Sequence, residues 1–234
     1  TPDSSKLLAI ARACGVRTEY FFRNRTVTLS NVEFRRNNDF GVKRTEAVRI
    51  RVAEMVEKRI ELLNVFPESP LDDFSVPHCI PKWIDDIESV ETIADDVRHA
   101  WALGRNPIGD LIDTLETLGL LILTVDEAHP AFSGMTATAV AGDGHDFPVI
   151  AVSSRWPGDR QRFTLAHELA HVLFAGRIAD DLDQEKFCDR FAGAFLAPRD
   201  AVIQELGERR KRLEPRELYH LKHEYGLAMR GWVI

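Results

Sequence analysis

Arg162-Phe163-Thr164-Leu165-Ala166-His167-Glu168-Leu169-Ala170-His171 is the stretch from which the rest of the chain is best read. Residues four apart on a helix project from one face about a turn from each other, so His167 and His171 can reach a single cation. Glu168 lies about 100° round the axis from His167. It is poorly placed to ligate that cation and better placed to take a proton from water beside it. Phe163, Ala166, Ala170, Leu173 and Phe174 are apolar, which predicts a buried helix running to about Phe174, with Asp159 as its cap. Two histidines and a glutamate buried on such a helix require partners or a metal, because unpaired polar groups are costly to bury.

The second feature lies downstream. Glu185 follows His171 after the Gly176–Asp181 stretch, in the first turns of a helix expected over Asp183–Leu196 and ended by Pro198. Two imidazoles and one carboxylate form a common catalytic zinc set that leaves a fourth position open. The expected metal ligands are therefore His167, His171 and Glu185, with Glu168 the catalytic general base. Asp189, one turn after Glu185 on the same side, is either an alternative ligand or an acceptor that orients a histidine nitrogen. Zn2+, one per chain, suits this set, and Mn2+ can replace it because affinity order alone does not decide occupancy. A peptide bond is the natural substrate. Its extended chain would pair with a free edge of a small sheet, at Phe132–Thr138 or Phe147–Val152. Tyr219, His220, His223 and Tyr225 are available late in the chain as a second donor to an oxyanion, and nothing selects one of them.

Upstream, Leu120–Val125, Thr136–Ala141 and Phe147–Val152 have strand character, the last two joined by Gly142-Asp143-Gly144-His145. Helices are expected over Ile87–Leu103 and from Asn106-Pro107 to Gly119. Pro67, Pro70, Pro77 and Pro81 mark a linker. Before it, Thr45–Leu63 is an amphipathic helix with a mixed-charge solvated face, Thr28–Arg35 an extended piece, and Ser5–Arg23 two short helices turning at Gly15. The expected fold class is α+β: mostly helical, with a small three-stranded sheet, covered on one side, packed on the helix of His167 and His171. The expected division is a helical region over residues 1–82 and a second domain over residues 83–234.

Composition restricts the alternatives. The chain has 234 residues, 44% hydrophobic and 29% charged, as in ordinary globular proteins. A formal charge of −7 argues against general affinity for nucleic acid. No apolar run approaches the roughly 20 residues that span a bilayer, so no membrane role is expected. Cys14, Cys79 and Cys188 are widely spaced and odd in number, which fits a reducing compartment rather than a disulfide framework. His78, His99, His129 and His145 are isolated and carry no ligand spacing.

The segment Arg162–His171 and the block Glu185-Lys186-Phe187-Cys188-Asp189-Arg190-Phe191-Ala192-Gly193-Ala194-Phe195-Leu196-Ala197-Pro198 resemble the central motifs of the ImmA/IrrE family of metallopeptidases, zincin-like enzymes. In that family the second block typically reads Glu, two variable residues, Ala-Asn, one variable, Phe-Ala, and later Leu-Met-Pro. Glu185, Phe191-Ala192 and Pro198 keep the pattern, whereas Cys188-Asp189 departs from Ala-Asn. By resemblance His167, His171 and Glu185 are ligands and Glu168 the base. Asn106–Gly109, Leu115–Gly119 and Phe132-Ser133-Gly134 extend the resemblance more weakly. The opening residues, through Tyr20-Phe21-Phe22-Arg23, resemble the tail of a Cro/repressor-type helix-turn-helix domain whose groove-entering helices would lie before Thr1. DNA is thus an expected partner only of a full-length form. The resemblance implies a cytoplasmic zinc endopeptidase that cuts a partner repressor and switches on stress-response or mobile-element genes, such as those of toxin–antitoxin loci; a homodimer is compatible with this. The alternative is a transcriptional regulator whose peptidase-like domain senses a ligand or partner without cleaving it.

Overall fold

The computed structural model describes residues 3–22, 26–36, 40–67, 73–127, 129–142, 144–209 and 212–232. Of the sequence expectations, Arg23, Pro70 of the linker and Asp143 of the strand-joining turn fall outside the described residues. In chain order the elements are α1 (Ser4–Cys14), β1 (Val27–Arg36), α2 (Val42–Leu63), α3 (Val90–Ala100), α4 (Leu111–Thr117), β2 (Leu121–Val125), β3 (Phe132–Ala141), β4 (Asp146–Ser153), α5 (Gly158–Phe174), α6 (Gln184–Leu196), α7 (Arg199–Leu206) and α8 (Pro215–Tyr225).

The class is α+β and mostly helical, but the sheet has four strands rather than three, in the order β1-β3-β4-β2. The added strand is β1, drawn from the extended piece near the start of the chain and paired antiparallel with β3. β3 and β4 are antiparallel, while β2 and β4 are parallel. Both strands expected to offer a free edge are therefore interior. β1 covers the outer side of β3, and β4 lies between β3 and β2.

Alternation along the strands divides their side chains between two cores. Met135, Ala137 and Ala139 of β3, Val149 and Ala151 of β4, and Leu121 and Leu123 of β2 share one cluster with Val48, Val52, Val56, Ile60 and Leu63 of α2. Those α2 positions recur at threes and fours and make one apolar stripe. On the opposite face Ile122, Ile150 and Val152 join Leu165, Ala166, Leu169 and Leu173 of α5, together with α3 and α6. The sheet is thus covered on both faces, by α2 and by α5, and not on one as expected. The covering of the α2 face comes entirely from the first 63 residues.

Several helix ends differ from expectation. α4 begins only at Leu111, where Asp110 accepts a hydrogen bond from the Asp113 amide. α5 starts after Pro157, and Asp159 is not its cap. Asp159 sits instead in the first turn, favourable for a carboxylate, and pairs with Lys222 at 3.1 Å. Residues 18–22 form a single 3-10 turn, and Gly15 takes the left-handed conformation that ends α1.

Two buried polar residues brace this arrangement. Arg98 of α3 is 2% exposed and donates to three backbone carbonyls, those of Gly104 (2.8 Å), Asn106 (2.7 Å) and Phe195 (2.6 Å). The last is a carbonyl in the final turn of α6, where helices leave such groups without internal partners. Glu57 of α2 accepts from the amide and hydroxyl of Thr26 at 2.9 and 3.1 Å, which fixes the start of β1. No described helix is long and apolar enough to cross a membrane.

Candidate metal centre

α5 is fixed at both ends. The Trp156 indole donates to the carbonyl of Phe132, at the start of β3, at 2.9 Å. After Phe174 the chain reverses through Gly176, whose φ of 66° is in the left-handed region. The connecting loop is then held by an isolated bridge between Ile84 and Ile178, with Ile84 N to Arg177 O at 2.8 Å and Ala179 N to Ile84 O at 2.9 Å. α6 follows, capped by Asp183. Phe174, Phe187 and Phe191 pack edge to face between the two helices, and burial of such rings sets their separation.

This framework brings His167, His171 and Glu185 together. One ligand atom from each lies within 4.8 Å of the others, and among the described residues this is the one such group of three or more. The two Nε2 atoms are 3.0 Å apart. The Glu185 carboxylate lies 3.3 Å from each, through Oε2 to His167 and Oε1 to His171. A tetrahedral zinc with bonds of about 2.0–2.1 Å has ligand atoms roughly 3.3 Å apart. The donor chemistry and the spacing both fit a divalent ion. Two imidazole nitrogens facing each other at 3.0 Å also need either a shared proton or a cation between them. His167 is fully buried and His171 8% exposed, while Glu185 approaches from the open side with about two-thirds of its side chain exposed. Hydrogen bonds from His167 and then His171 hold the Glu185 carboxyl well below the usual carboxylate range.

The outer nitrogens of the rings are also engaged. Asp189 Oδ1 is 2.7 Å from His167 Nδ1, the nitrogen that points away from Glu185. Of the two roles open to Asp189, that contact is the one of an orienting acceptor. His171 Nδ1 has two neighbours, Gln184 Nε2 at 3.2 Å and Glu33 Oε2 at 3.3 Å. Glu33 belongs to β1 and went unnoticed in the sequence.

Glu168 is 1% exposed and lies under β3. A Cβ added to Gly134 would come within 2.8 Å of its Oε1, so strand and helix approach each other closely here. Cys188 is fully buried, and burial followed by the Glu185 and Glu168 carboxylates pushes its thiol well above the ordinary range. It is therefore a core residue and not a nucleophile. Of the candidate oxyanion donors, exposed Tyr219 packs on His220 and His223 with ring centroids 6.3 and 4.4 Å apart, and Tyr225 packs on Trp232 in the core.

Residues 118–229 match the family model of the IrrE N-terminal-like domain, Peptidase_M78. That segment runs from just before β2 to just past α8 and contains His167, Glu168, His171 and Glu185. β1 and α2 lie outside it. A search of curated proteins finds no match. Among solved structures the chain is similar to a Mycobacterium tuberculosis transcriptional regulator, at 16% identity with a TM-score of 0.41. The similarity covers 64% of this chain and 46% of that one, so the chain spans less than half of that regulator's length.

Proposed function

We propose that the chain is a zinc-dependent endopeptidase that hydrolyses a peptide bond in a partner repressor and so derepresses genes in the cytoplasm. In this reading residues 83–234 carry the chemistry and residues 1–82 are the N-terminal region, with the remnant of a helix-turn-helix unit. The observation that carries it is the convergence of His167 Nε2, His171 Nε2 and the Glu185 carboxylate, with Glu168 buried on the same helix. The peptidase-family match over residues 118–229 supports the same class.

His167, His171 and Glu185 would hold the ion. A divalent cation bound there supplies a positive centre that acidifies water and polarises a carbonyl. The chain's own residues do the remainder. Asp189 keeps the His167 proton on Nδ1, leaving Nε2 as a donor of electrons. Glu168, enclosed between α5 and β3, accepts a proton from the attacking water on a carboxylate oxygen and passes it to the departing amine. An extended substrate would add to the outer edge of β1.

One observation favours a second reading, a regulator that binds a partner without cutting it. β1 already fills the outer edge of β3, the strand that lies over Glu168. The test is incubation of the zinc-loaded chain with candidate repressors, followed by mass spectrometry, for wild type and Glu168→Gln. A general base contributes about 10²–10⁴-fold. The peptidase reading expects a single cut, slowed at least about a hundredfold in Glu168→Gln with zinc still bound. Zinc binding with partner binding but no Glu168-dependent cut would establish the regulator instead.

A further inference from the structure

The two histidines have unequal surroundings, and the difference leads to β1. A histidine that ligates through Nε2 carries its proton on Nδ1, and that N–H needs an acceptor to fix the ring. Asp189 meets this need for His167 from the neighbouring turn of α6. No residue of α6 does so for His171 in the arrangement found. Gln184 presents its amide nitrogen at 3.2 Å, and an N–H facing an N–H does not bond. The carboxylate within reach of His171 Nδ1 is that of Glu33, whose Oε2 lies 3.3 Å away.

The course of β1 accounts for this approach. Val27 and Leu29 belong to the core on the α2 side of the sheet, and simple alternation would put Glu33 there too. Between Ser30 and Glu33 the register shifts, from Ser30 opposite Thr138 to Glu33 opposite Thr136, so β1 contains one extra residue. Asn31 has a φ of 49°, a conformation that asparagine tolerates better than most residues. A bulge of this kind re-aims the side chains that follow it. Phe34 is thereby turned to the α2 side against Phe132, and Glu33 to the α5 side. There it borders a cavity of about 480 Å³ that also touches Thr136, Thr138, His171 and Val172.

We infer that Glu33 is a positioning residue of the metal centre: its carboxylate accepts the Nδ1–H of His171 and sets that ring for ligation. This rests on the reading of His167, His171 and Glu185 as ligands. The N-terminal region is then part of the metal site, although it lies outside the matched family segment. Whatever shifts β1 along β3 changes how tightly the ion is held.

The experiment is a Zn2+ titration of the full chain in competition with a chromophoric chelator. It compares wild type with Glu33→Ala, Glu33→Gln, Gln184→Ala and Asp189→Ala. Loss of an outer acceptor costs about 10–100-fold in affinity. Glu33→Ala should weaken zinc binding at least about tenfold, in the same range as Asp189→Ala. Glu33→Gln keeps an oxygen acceptor and should recover most of that loss, a rescue that a merely structural role would not give. The side chain is more than half exposed, so thermal unfolding of the metal-free chain should be unchanged in both variants. Zinc affinity within twofold of wild type in Glu33→Ala, with the loss appearing in Gln184→Ala, would overturn the inference and give the role to a turned amide. Wild type that binds no zinc would instead overturn the metal-centre reading, and this inference with it.

Discussion

Gly134→Ala tests whether the close approach of β3 to α5 is what fixes Glu168. The new methyl carbon would lie 2.8 Å from Glu168 Oε1, 2.8 Å from Thr164 Cγ2 and 3.0 Å from Glu168 Cγ. Carbon contacts are optimal near 3.5–4.0 Å, so strand and helix must separate by several tenths of an ångström or more. Neither neighbour can swing aside, since Thr164 is 2% and Glu168 1% exposed. Overpacking of this kind costs about 1–3 kcal/mol. For a chain of this size each kcal/mol moves Tm by about 2–4 °C, giving a fall of about 2–12 °C. A misplacement approaching 1 Å at a catalytic group costs about a hundredfold in rate. The ligands lie on other positions of α5 and on α6, so zinc should remain bound while cleavage collapses. Calorimetry, metal analysis and a single-turnover cleavage assay on the same preparation read all three quantities. Gly193→Ala is the control. That glycine is inside α6 with no atom within 4 Å of the added carbon, so alanine should stabilise by about 0.5–1 kcal/mol through helix propensity alone. If Gly134→Ala keeps the wild-type Tm and rate, the strand does not position Glu168 and the reasoning fails.

Other outcomes follow from single features. Arg98→Met strips three buried carbonyls of their donor and should lower stability by at least about 3 kcal/mol, seen as a lower urea midpoint. Zinc at a hundred times its Kd should stabilise the fold by about 2.7 kcal/mol, raising Tm by about 5–11 °C, and a chelator should reverse this. A thiol reagent at pH 8 should modify exposed Cys14 quickly, Cys79 more slowly because partial burial and Asp96 push its thiol up, and buried Cys188 only on unfolding. For Glu185 the folded-state pKa is depressed below its ordinary 4.5, so its contribution is present above that pH and lost as pH falls below it. The metal-free wild type should therefore lose stability below about pH 4.5 more steeply than Glu185→Gln in acid-titrated unfolding.

Legibility in the sequence followed the distance over which each residue acts. His167, Glu168 and His171 lie within two turns of one helix, and their spacing alone fixes a shared face. Glu185 and Asp189 needed one further assumption, that the next helix returns beside the first, and the loop at Gly176 meets it. Glu33 needed much more. Its role depends on pairing β1 with a strand about a hundred residues later, and on a one-residue shift that reverses which face its side chain takes. The signal was present as a break in phase, since Val27 and Leu29 alternate in one register and Val32 and Phe34 in the other. Arg98 was hidden for a related reason. It adjoins Val97 in a helix rich in charge and reads as solvent-facing until the carbonyls of Gly104, Asn106 and Phe195 close round it. Glu57 was likewise assigned to a solvated face, yet it holds Thr26 and with it the start of β1. These three residues share a physical character. Each is a charged group that a local pattern assigns to water and that non-local backbone geometry brings to a specific partner. Two of the three involve β1: Glu33 belongs to it, and Glu57 holds its start. The strand that was hardest to place from sequence therefore links the first 63 residues to the ring of His171, and a readout of zinc affinity is also a readout of how β1 is seated.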